Sequence, residues 1–296
     1  MMRVMDDDAL SPELDHVGIA VNSLQDGREN YQKLGFKLTR LSYHCGPTST
    51  GGEIQRWGSG NHCAMFEHGY LEVIGVTDPA LFSNVRELLK LHQGAHIVAL
   101  RVDDAHSAHR ALLRENPRQS APRVLQREVG YGQNGNQVRL AEFRNIYIDR
   151  GEYPEAQWLI IEHVTPQTLW QPHLMSHPNG ALALDEVYIV SGTPERTAGR
   201  LAELCGQEAK FARNGFEIGL ARGRAFIAAR PVFESWGLLT PTSSAPHVVG
   251  FGVAVSSLAV TKKLLANNGV SFTESGGILQ VLPPLTLGPI VRFLES

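Results

Sequence analysis

Four ionisable side chains interrupt otherwise apolar, strand-like runs of this sequence: His16, Glu72 and the adjacent pair Glu162 and His163. An ionised carboxylate is costly to bury without a partner, so Glu72 and Glu162 are candidates for chemistry rather than packing. Carboxylate and imidazole can transfer protons, and together they suit Zn²⁺, Ni²⁺, Mn²⁺ or Fe²⁺. Because neighbours on a strand point to opposite faces, only one of Glu162 and His163 can face a site.

Polar residues at the start of a neighbouring strand could contact a substrate. Asn61 and His62 end a Gly-rich loop and enter a strand beside Glu72. Their side chains could hydrogen-bond substrate oxygens or only complete the turn. The second Gly-rich stretch, 130–135, does not follow a strand and open a helix as a phosphate-binding loop must, which argues against nucleotide binding.

One plan of strand, helix and three strands occurs four times along the chain. Its first strands are predicted at 13–21, 97–102, 182–190 and 247–255, each followed by a turn that can cap a helix. A repeat of this kind indicates stacked modules. The sequence therefore predicts an α+β fold of four tandem βαβββ modules. The predicted units are a pair at 13–166, a bridge at 167–181 and a second pair at 182–296.

A helix is also predicted to link the first two modules, from Asp78-Pro79 to about His92. Proline suits the first helical position, where its missing N–H group costs no hydrogen bond.

Composition limits the classes of function. The chain has 296 residues, 43% hydrophobic and 19% charged, with a net charge of −3. This balance predicts neither nucleic acid nor an anionic membrane as a partner. Three separated cysteines without a CxxC pair favour a reducing compartment. With no apolar run of about eighteen residues and no signal core, we expect a cytoplasmic protein, monomeric or homodimeric.

Four segments together resemble the vicinal oxygen chelate superfamily, the group of glyoxalases, bleomycin-resistance proteins and extradiol dioxygenases. They are LDHVGIAV, GNHCAMFEHGYLEVIGV, HIVALRVDDAHSAHRAL and EHVTPQTLWQPHLMSHPNGA. The resemblance covers about residues 13–296 and is closest to glyoxalase-like proteins with several modules in one chain. It implies that paired modules curl into two open cups, one of which can hold a divalent metal.

By position, the resemblance implies that His16, Glu72, His96 and Glu162 are metal ligands, with Glu72 or Glu162 also moving the proton. Counting back from the end of each strand, however, places Ile97 and not His96 at the position of His16. His96 reaches the cup only if a β-bulge intervenes. A three-ligand site with His16, Glu72 and either Glu162 or His163, or no metal site, therefore remains open.

The second half departs further from the pattern. Glu186 replaces His16, and Ala228 is predicted near the position of Glu72. Val248 or Val249 occupies the position that corresponds to His96. On the last strand, either Arg292 or Glu295 could face the second cup. We therefore expect this half to be a structural partner or a regulatory binding cup.

The resemblance implies a metal-dependent lyase or isomerase that acts on a small substrate with two adjacent oxygens. The metal would act as a Lewis acid, and Asn61, His62 and His163 are candidate substrate contacts. Two alternatives stay open. One is an extradiol-type Fe²⁺ dioxygenase with two histidines and one carboxylate. The other is a non-catalytic protein that binds or sequesters a small molecule.

Overall fold

The computed structural model describes residues 10–48, 52–115, 119–237 and 245–296. The first module contains β1 (Glu13–Val21), α1 (Leu24–Lys33), β2 (Ser42–Gly46), β3 (Gln55–Met65) and β4 (Tyr70–Val76). After α2 (Val85–Leu91), the second module contains β5 (Gly94–Arg101), α3 (Ala105–Glu115), β6 (Arg123–Tyr131), β7 (Gln137–Tyr147) and β8 (Gln157–His163). Two short 3₁₀ turns, Pro166–Thr168 and Pro172–Leu174, lead to the second half.

The second half repeats this order. Its first module contains β9 (Ala181–Val190), α4 (Pro194–Cys205), β10 (Ala209–Ala212), β11 (Gly215–Gly219) and β12 (Arg224–Ala228), followed by α5 (Arg230–Glu234). The last module contains β13 (His247–Val255), α6 (Leu258–Asn267), β14 (Thr273–Ser275), β15 (Ile278–Val281) and β16 (Ile290–Glu295). The predicted α+β class and the fourfold βαβββ order are confirmed.

The strands form two eight-stranded sheets of identical connectivity. Their orders are β2-β3-β4-β1-β5-β8-β7-β6 and β10-β11-β12-β9-β13-β16-β15-β14. In each sheet, two modules meet where their first strands pair antiparallel, as β1 with β5 and β9 with β13. The first strand of each module also pairs in parallel with its last. First and last strands therefore lie side by side at the centre of the sheet.

The two halves pack through their helical sides. Phe36, just after α1, stacks on Phe293 of β16 with ring centroids 5.9 Å apart. Nearby, Tyr31 Oη donates to the carbonyl of Thr286 at 3.1 Å, and Arg200 of α4 pairs with Glu155 of the first half. One apolar core includes buried residues of both halves. The opposite, concave face of the first sheet lines a cavity.

Helix boundaries follow local sequence where a local signal is present. The Ser23 hydroxyl caps α1 by accepting from the N–H of Asp26, and Gly35 follows with φ +87°. The linking helix is an exception, because α2 begins at Val85 and not at Asp78-Pro79. The Arg86 guanidinium instead binds the carbonyls of residues 78, 79 and 81, which holds that segment out of a helix.

The bridge is held on the first half by two side chains. His177 Nδ1 accepts from the N–H of Lys37, and its Nε2 donates to the carbonyl of Met65. Asn179 is buried and donates to the carbonyl of Leu34. In the described ranges no helix has the length and apolar character needed to span a membrane.

Candidate active site

The concave face of the first sheet encloses a cavity of about 140 Å³. Its walls are mostly apolar and aromatic, as is usual for small-molecule sites. The polar side chains that line it include His16, His44, Glu72, Arg127 and Asn145, which come from five different strands. The cavity thus places His16 and Glu72 together, as expected from the sequence.

His16 is held by a neighbouring carboxylate. A bulge in β1 between Leu14 and His16 brings Asp15 beside the His16 ring, and His16 Nδ1 lies 2.7 Å from Asp15 Oδ2. Asp15 Oδ1 also accepts from Nε2 of His163 at 2.9 Å. Although burial raises the pKa of Asp15, the two imidazoles lower it well below its usual range. Since an ionised carboxylate can only accept, His16 Nδ1 is the donor, and Nε2 is left to accept a proton.

Glu72 is buried and ionised. Asn61 Nδ2 donates to its Oε1, and the same oxygen lies 3.6 Å from His44 Nε2 and 3.6 Å from Arg127 Nη1. Burial raises the pKa of Glu72, but His44, His16 and Arg127 outweigh burial and lower this pKa to about 2. A general base works best with a pKa near the operating pH. Glu72 is therefore a weak proton acceptor, contrary to the shuttle role expected from the sequence.

Arg127 is the main site residue that sequence reasoning missed. It lies on β6 and is only 8% exposed, with Nη2 3.8 Å from Cys63 Sγ. Its Nε has no hydrogen-bond partner. Burial raises the pKa of the Cys63 thiol to about 11, so this cysteine is no nucleophile at neutral pH. The only sequence signal for Arg127 is its place between two apolar residues, Leu125 and Val129, that share its strand face.

Two of the expected metal ligands lie away from the cavity. His96 is buried under His92, with ring centroids 4.0 Å apart, and its Nε2 donates to the His92 carbonyl. Glu162 Oε2 accepts from the N–H of Ala105, the first residue of α3, and Oε1 pairs with Arg144 at 2.5 Å. The pairing of β1 with β5 has two irregularities: one leaves Asp15 of β1 unpaired, and the other leaves His96 of β5 unpaired. A bulge is thus present at His96, but its ring packs on His92 and does not line the cavity.

The structure also separates the expected substrate contacts. Asn61 shares the concave face and binds Glu72, whereas His62 points the other way and its Nδ1 lies 2.8 Å from the carbonyl of Thr39. His163 is the member of the Glu162-His163 pair that faces inward. On β8, alternate residues Gln157, Leu159 and Ile161 line the cavity, and His163 is the next residue on the same face. The ring centroids of His163 and Trp170 are 4.8 Å apart.

Strand register explains why four ligands do not converge. In β1 and β4, Gly18 pairs with Glu72; in β5 and β8, Ala99 pairs with Leu159. His16 and Ile97 each lie eight residues before the first residue of the following helix, Leu24 and Ala105. With this alignment the strand pairing makes Leu159 the counterpart of Glu72. The cavity is lined by His16, Glu72, Ile97 and Leu159 alike.

A divalent metal does not fit this donor set. Two of the four equivalent positions are aliphatic, and the Arg127 guanidinium already balances the charge of Glu72. Among the described residues, no three His, Cys, Asp or Glu side chains are placed to hold a metal ion. The set expected for an extradiol site, His16 and His96 with one carboxylate, is not brought together either, because His96 does not line the cavity.

The second sheet has its concave face filled by the chain itself. Trp236, just after α5, stacks on Phe226 at 5.7 Å, and the Arg292 guanidinium lies 4.0 Å from its ring centroid. Glu186 is buried, with Tyr188 Oη at 2.5 Å and Arg224 Nε at 2.8 Å.

Register corrects the predicted equivalence in this half. Glu186 pairs with Arg224, as His16 pairs with Tyr70. Glu72 lies two residues after Tyr70, so its counterpart lies two residues after Arg224. That residue is Phe226 and not Ala228. Val249, rather than Val248, packs in the cluster on this face with Phe226.

Paired βαβββ modules around a concave face are the arrangement of the vicinal oxygen chelate superfamily, and each of the two sheets is built in this way. Residues 14–205 match the sequence model of a family described as "Glyoxalase-like domain". The chain belongs to this glyoxalase-like family. No curated protein matches the chain.

Solved structures share the fold at low sequence identity. A hypothetical protein from Staphylococcus aureus is 11% identical with a TM-score of 0.65, over 96% of this chain and 100% of that one. A variant of 4-hydroxymandelate synthase from Streptomyces coelicolor is 13% identical with a TM-score of 0.59, over 97% and 93%. A xylose isomerase-like TIM barrel/4-hydroxyphenylpyruvate dioxygenase fusion protein is 12% identical with a TM-score of 0.54, over 97% and 49%. At such identities the likeness concerns the fold alone.

Proposed function

We propose that the first sheet binds a small substrate with two adjacent oxygen atoms and moves a proton on it, in a lyase or isomerase reaction. The observation that carries this proposal is the Asp15–His16 pair in one cavity with the buried cation of Arg127. Fixed acid–base groups and fixed charges are the two contributions that such reactions need.

Each residue has a distinct part in this reaction. His16 Nε2 takes the proton from the carbon next to an oxygen, and the carboxylate of Asp15 stabilises the imidazolium that forms. Arg127 donates to the substrate oxygens and stabilises the negative charge that develops on them. Glu72 stays ionised, orients Arg127 and balances its charge. Asp15 is therefore a positioning residue, and His16 is the catalytic base.

Hydrogen–deuterium exchange tests this proposal on the full chain. Dihydroxyacetone, glyceraldehyde and 2-oxobutanoate are incubated in D₂O with the protein, and loss of the acidic C–H signal is followed by proton NMR. We expect exchange above the buffer rate with at least one compound. His16→Gln should reduce the rate about 10²-fold or more, the usual contribution of a general base.

His106→Gln, at an exposed position on α3, is the matched control and should leave the exchange rate unchanged. Wild-type protein that binds these compounds without exchange would point to the non-catalytic binding function, which the aliphatic Ile97 and Leu159 also suit. Exchange that survives in His16→Gln would contradict the assigned base.

A further inference from the structure

A second, larger cavity lies beside the candidate active site on the same concave face. It has a volume of about 490 Å³ and extends from β3 and β6 to the segment after α1 and the two 3₁₀ turns. Arg127 lines both cavities. A molecule long enough to occupy both would therefore pass this guanidinium.

The second cavity carries positive charge without a compensating carboxylate in its wall. Lys37, Arg40 and Arg127 line it, and none of its described lining residues is Asp or Glu. Lys37 Nζ donates to the carbonyl of His173 at 2.6 Å, and Arg40 Nη1 donates to that of Gly135 at 3.3 Å. An ammonium has three N–H donors and a guanidinium five, so both side chains keep donors for a ligand.

Arg127 supplies an independent observation that points to a ligand. Its side chain is nine-tenths buried, yet its Nε has no hydrogen-bond partner. A buried donor without a partner is unfavourable, and a ligand oxygen would supply that partner. Glu72 balances the charge of Arg127 from the side of the smaller cavity. The Nε donor of Arg127, a residue that also lines the larger cavity, is left without a partner.

The wall beside Arg40 is held in place by hydrogen bonds within the chain. Gln171 donates to the carbonyl of Gly130 and accepts from the N–H of Gly132, which fixes the Gly-rich loop 130–135 at the rim. Gln171 is itself buried. A fixed wall lowers the entropy cost of binding.

From these observations we infer that the larger cavity binds an anionic group, a carboxylate or a phosphate. The group belongs to the same small molecule whose reacting end occupies the cavity of His16 and Glu72. This substrate class rests on the proposed function, whereas the anion site itself does not. Lys37 and Arg40 bind the anion at the rim, and Arg127 contacts the molecule between its two ends.

Isothermal titration of the full chain with inorganic phosphate, and separately with succinate, tests the anion site. We expect saturable binding that weakens as salt is added, because the rim cations are exposed to solvent. The double variant Lys37→Gln/Arg40→Gln should bind about tenfold more weakly, since charge-assisted hydrogen bonds are lost. The tighter of the two anions identifies which group the site prefers.

The double variant Arg196→Gln/Lys263→Gln removes the same charge at exposed positions elsewhere and should bind both anions as wild type does. Circular dichroism checks that each variant is folded, and Arg40→Gln alone replaces the double variant if that variant is not. Equal affinity in the two double variants, or no saturable binding of either anion by wild type, would overturn the inference. His16→Gln should lose proton exchange but bind phosphate with the affinity of wild type. The two assays therefore test the proposed function and the anion site separately.

Discussion

At the scale of single residues, the central feature is an ion pair inside an apolar cup. Glu72 and Arg127 come from strands on opposite wings of the first sheet, and both are nearly inaccessible to solvent. Removing one member of a buried pair leaves an uncompensated charge, whereas removing both does not. This pair therefore links the stability of the cup to its chemistry.

Arg127→Leu should lower the free energy of unfolding by about 3 kcal/mol at pH 7, the usual cost of an unpaired buried charge. The pKa of Glu72 should rise in this variant, because burial then acts with one fewer opposing cation. Urea unfolding measures the change. The double variant Arg127→Leu/Glu72→Gln should recover part of the loss, and strictly additive effects would mean that the two side chains do not interact.

At the scale of elements, a carboxylate near the end of the last strand has a structural role in the second and fourth modules. Glu162 accepts from the first N–H of α3 at 3.0 Å, and Glu295 accepts from the first N–H of α6 at 3.3 Å. Both lie next to the helix N-terminus, where a negative charge is favourable. The repeated contact explains an acidic residue at this position without a catalytic role.

Glu162→Gln should therefore reduce stability by about 1 kcal/mol, as the loss of a helix cap does. Proton exchange on the substrates named above should be unchanged in this variant. Thermal melting and the NMR exchange assay measure the two effects, with Glu295→Gln as the matched variant in the second sheet. A loss of exchange at unchanged stability would return Glu162 to the list of catalytic candidates.

At the scale of the whole molecule, three histidines meet where the two halves join. His92 and His96 belong to the first half and His247 to the second, and the rings of His92 and His247 are 5.4 Å apart. Burial lowers the pKa of His92 to about 4, and the charges of His96, His247 and Arg150 lower it in the same direction. Burial also lowers the pKa of His96 and of His247, the latter with a contribution from Arg230.

The junction should therefore weaken in mild acid. Below the unfolded pKa of 6.5 the unfolded chain binds protons that the folded His92 does not, so stability falls as pH falls from about 6.5 to 4. Between pH 7 and pH 5, the free energy of unfolding of His92→Phe should fall by about 1–2 kcal/mol less than that of wild type, because His92 is only partly buried. Urea unfolding at both pH values measures this difference.

His106→Gln, at an exposed position in the first half, shows the effect of removing a histidine away from the junction. A pH dependence of stability that is the same in wild type and His92→Phe would mean that His92 is not the group that titrates.

The two sheets have the same connectivity, but their concave faces differ. The first keeps an open cavity, while Phe233 and Trp236 occupy the concave face of the second. Glu186, at the position of His16, is neutralised there by Arg213 and Arg224. In the described part of the second half, the concave face is therefore occupied by the chain's own side chains.

Much of this architecture could be predicted from the chain alone, because it depends on local patterns. Apolar runs, capping residues such as Ser23 and glycines such as Gly35 act within a few positions of one another. Their fourfold recurrence was therefore enough to predict the module order, and the resemblance of four segments implied the family. The shared cavity of His16 and Glu72 was also predictable, since both lie on the paired first and last strands of one module.

Only the tertiary structure decided which side chains meet. A one-residue bulge in β1 turns Asp15 toward His16 and His163, and strand register places Ile97 and Leu159 where two more ligands were expected. Arg127 reaches Glu72 across the curl of the whole sheet, from a strand 55 positions further along the chain. Such contacts depend on register and curvature, which are set by packing over many strands, and no local stretch of sequence contains that information.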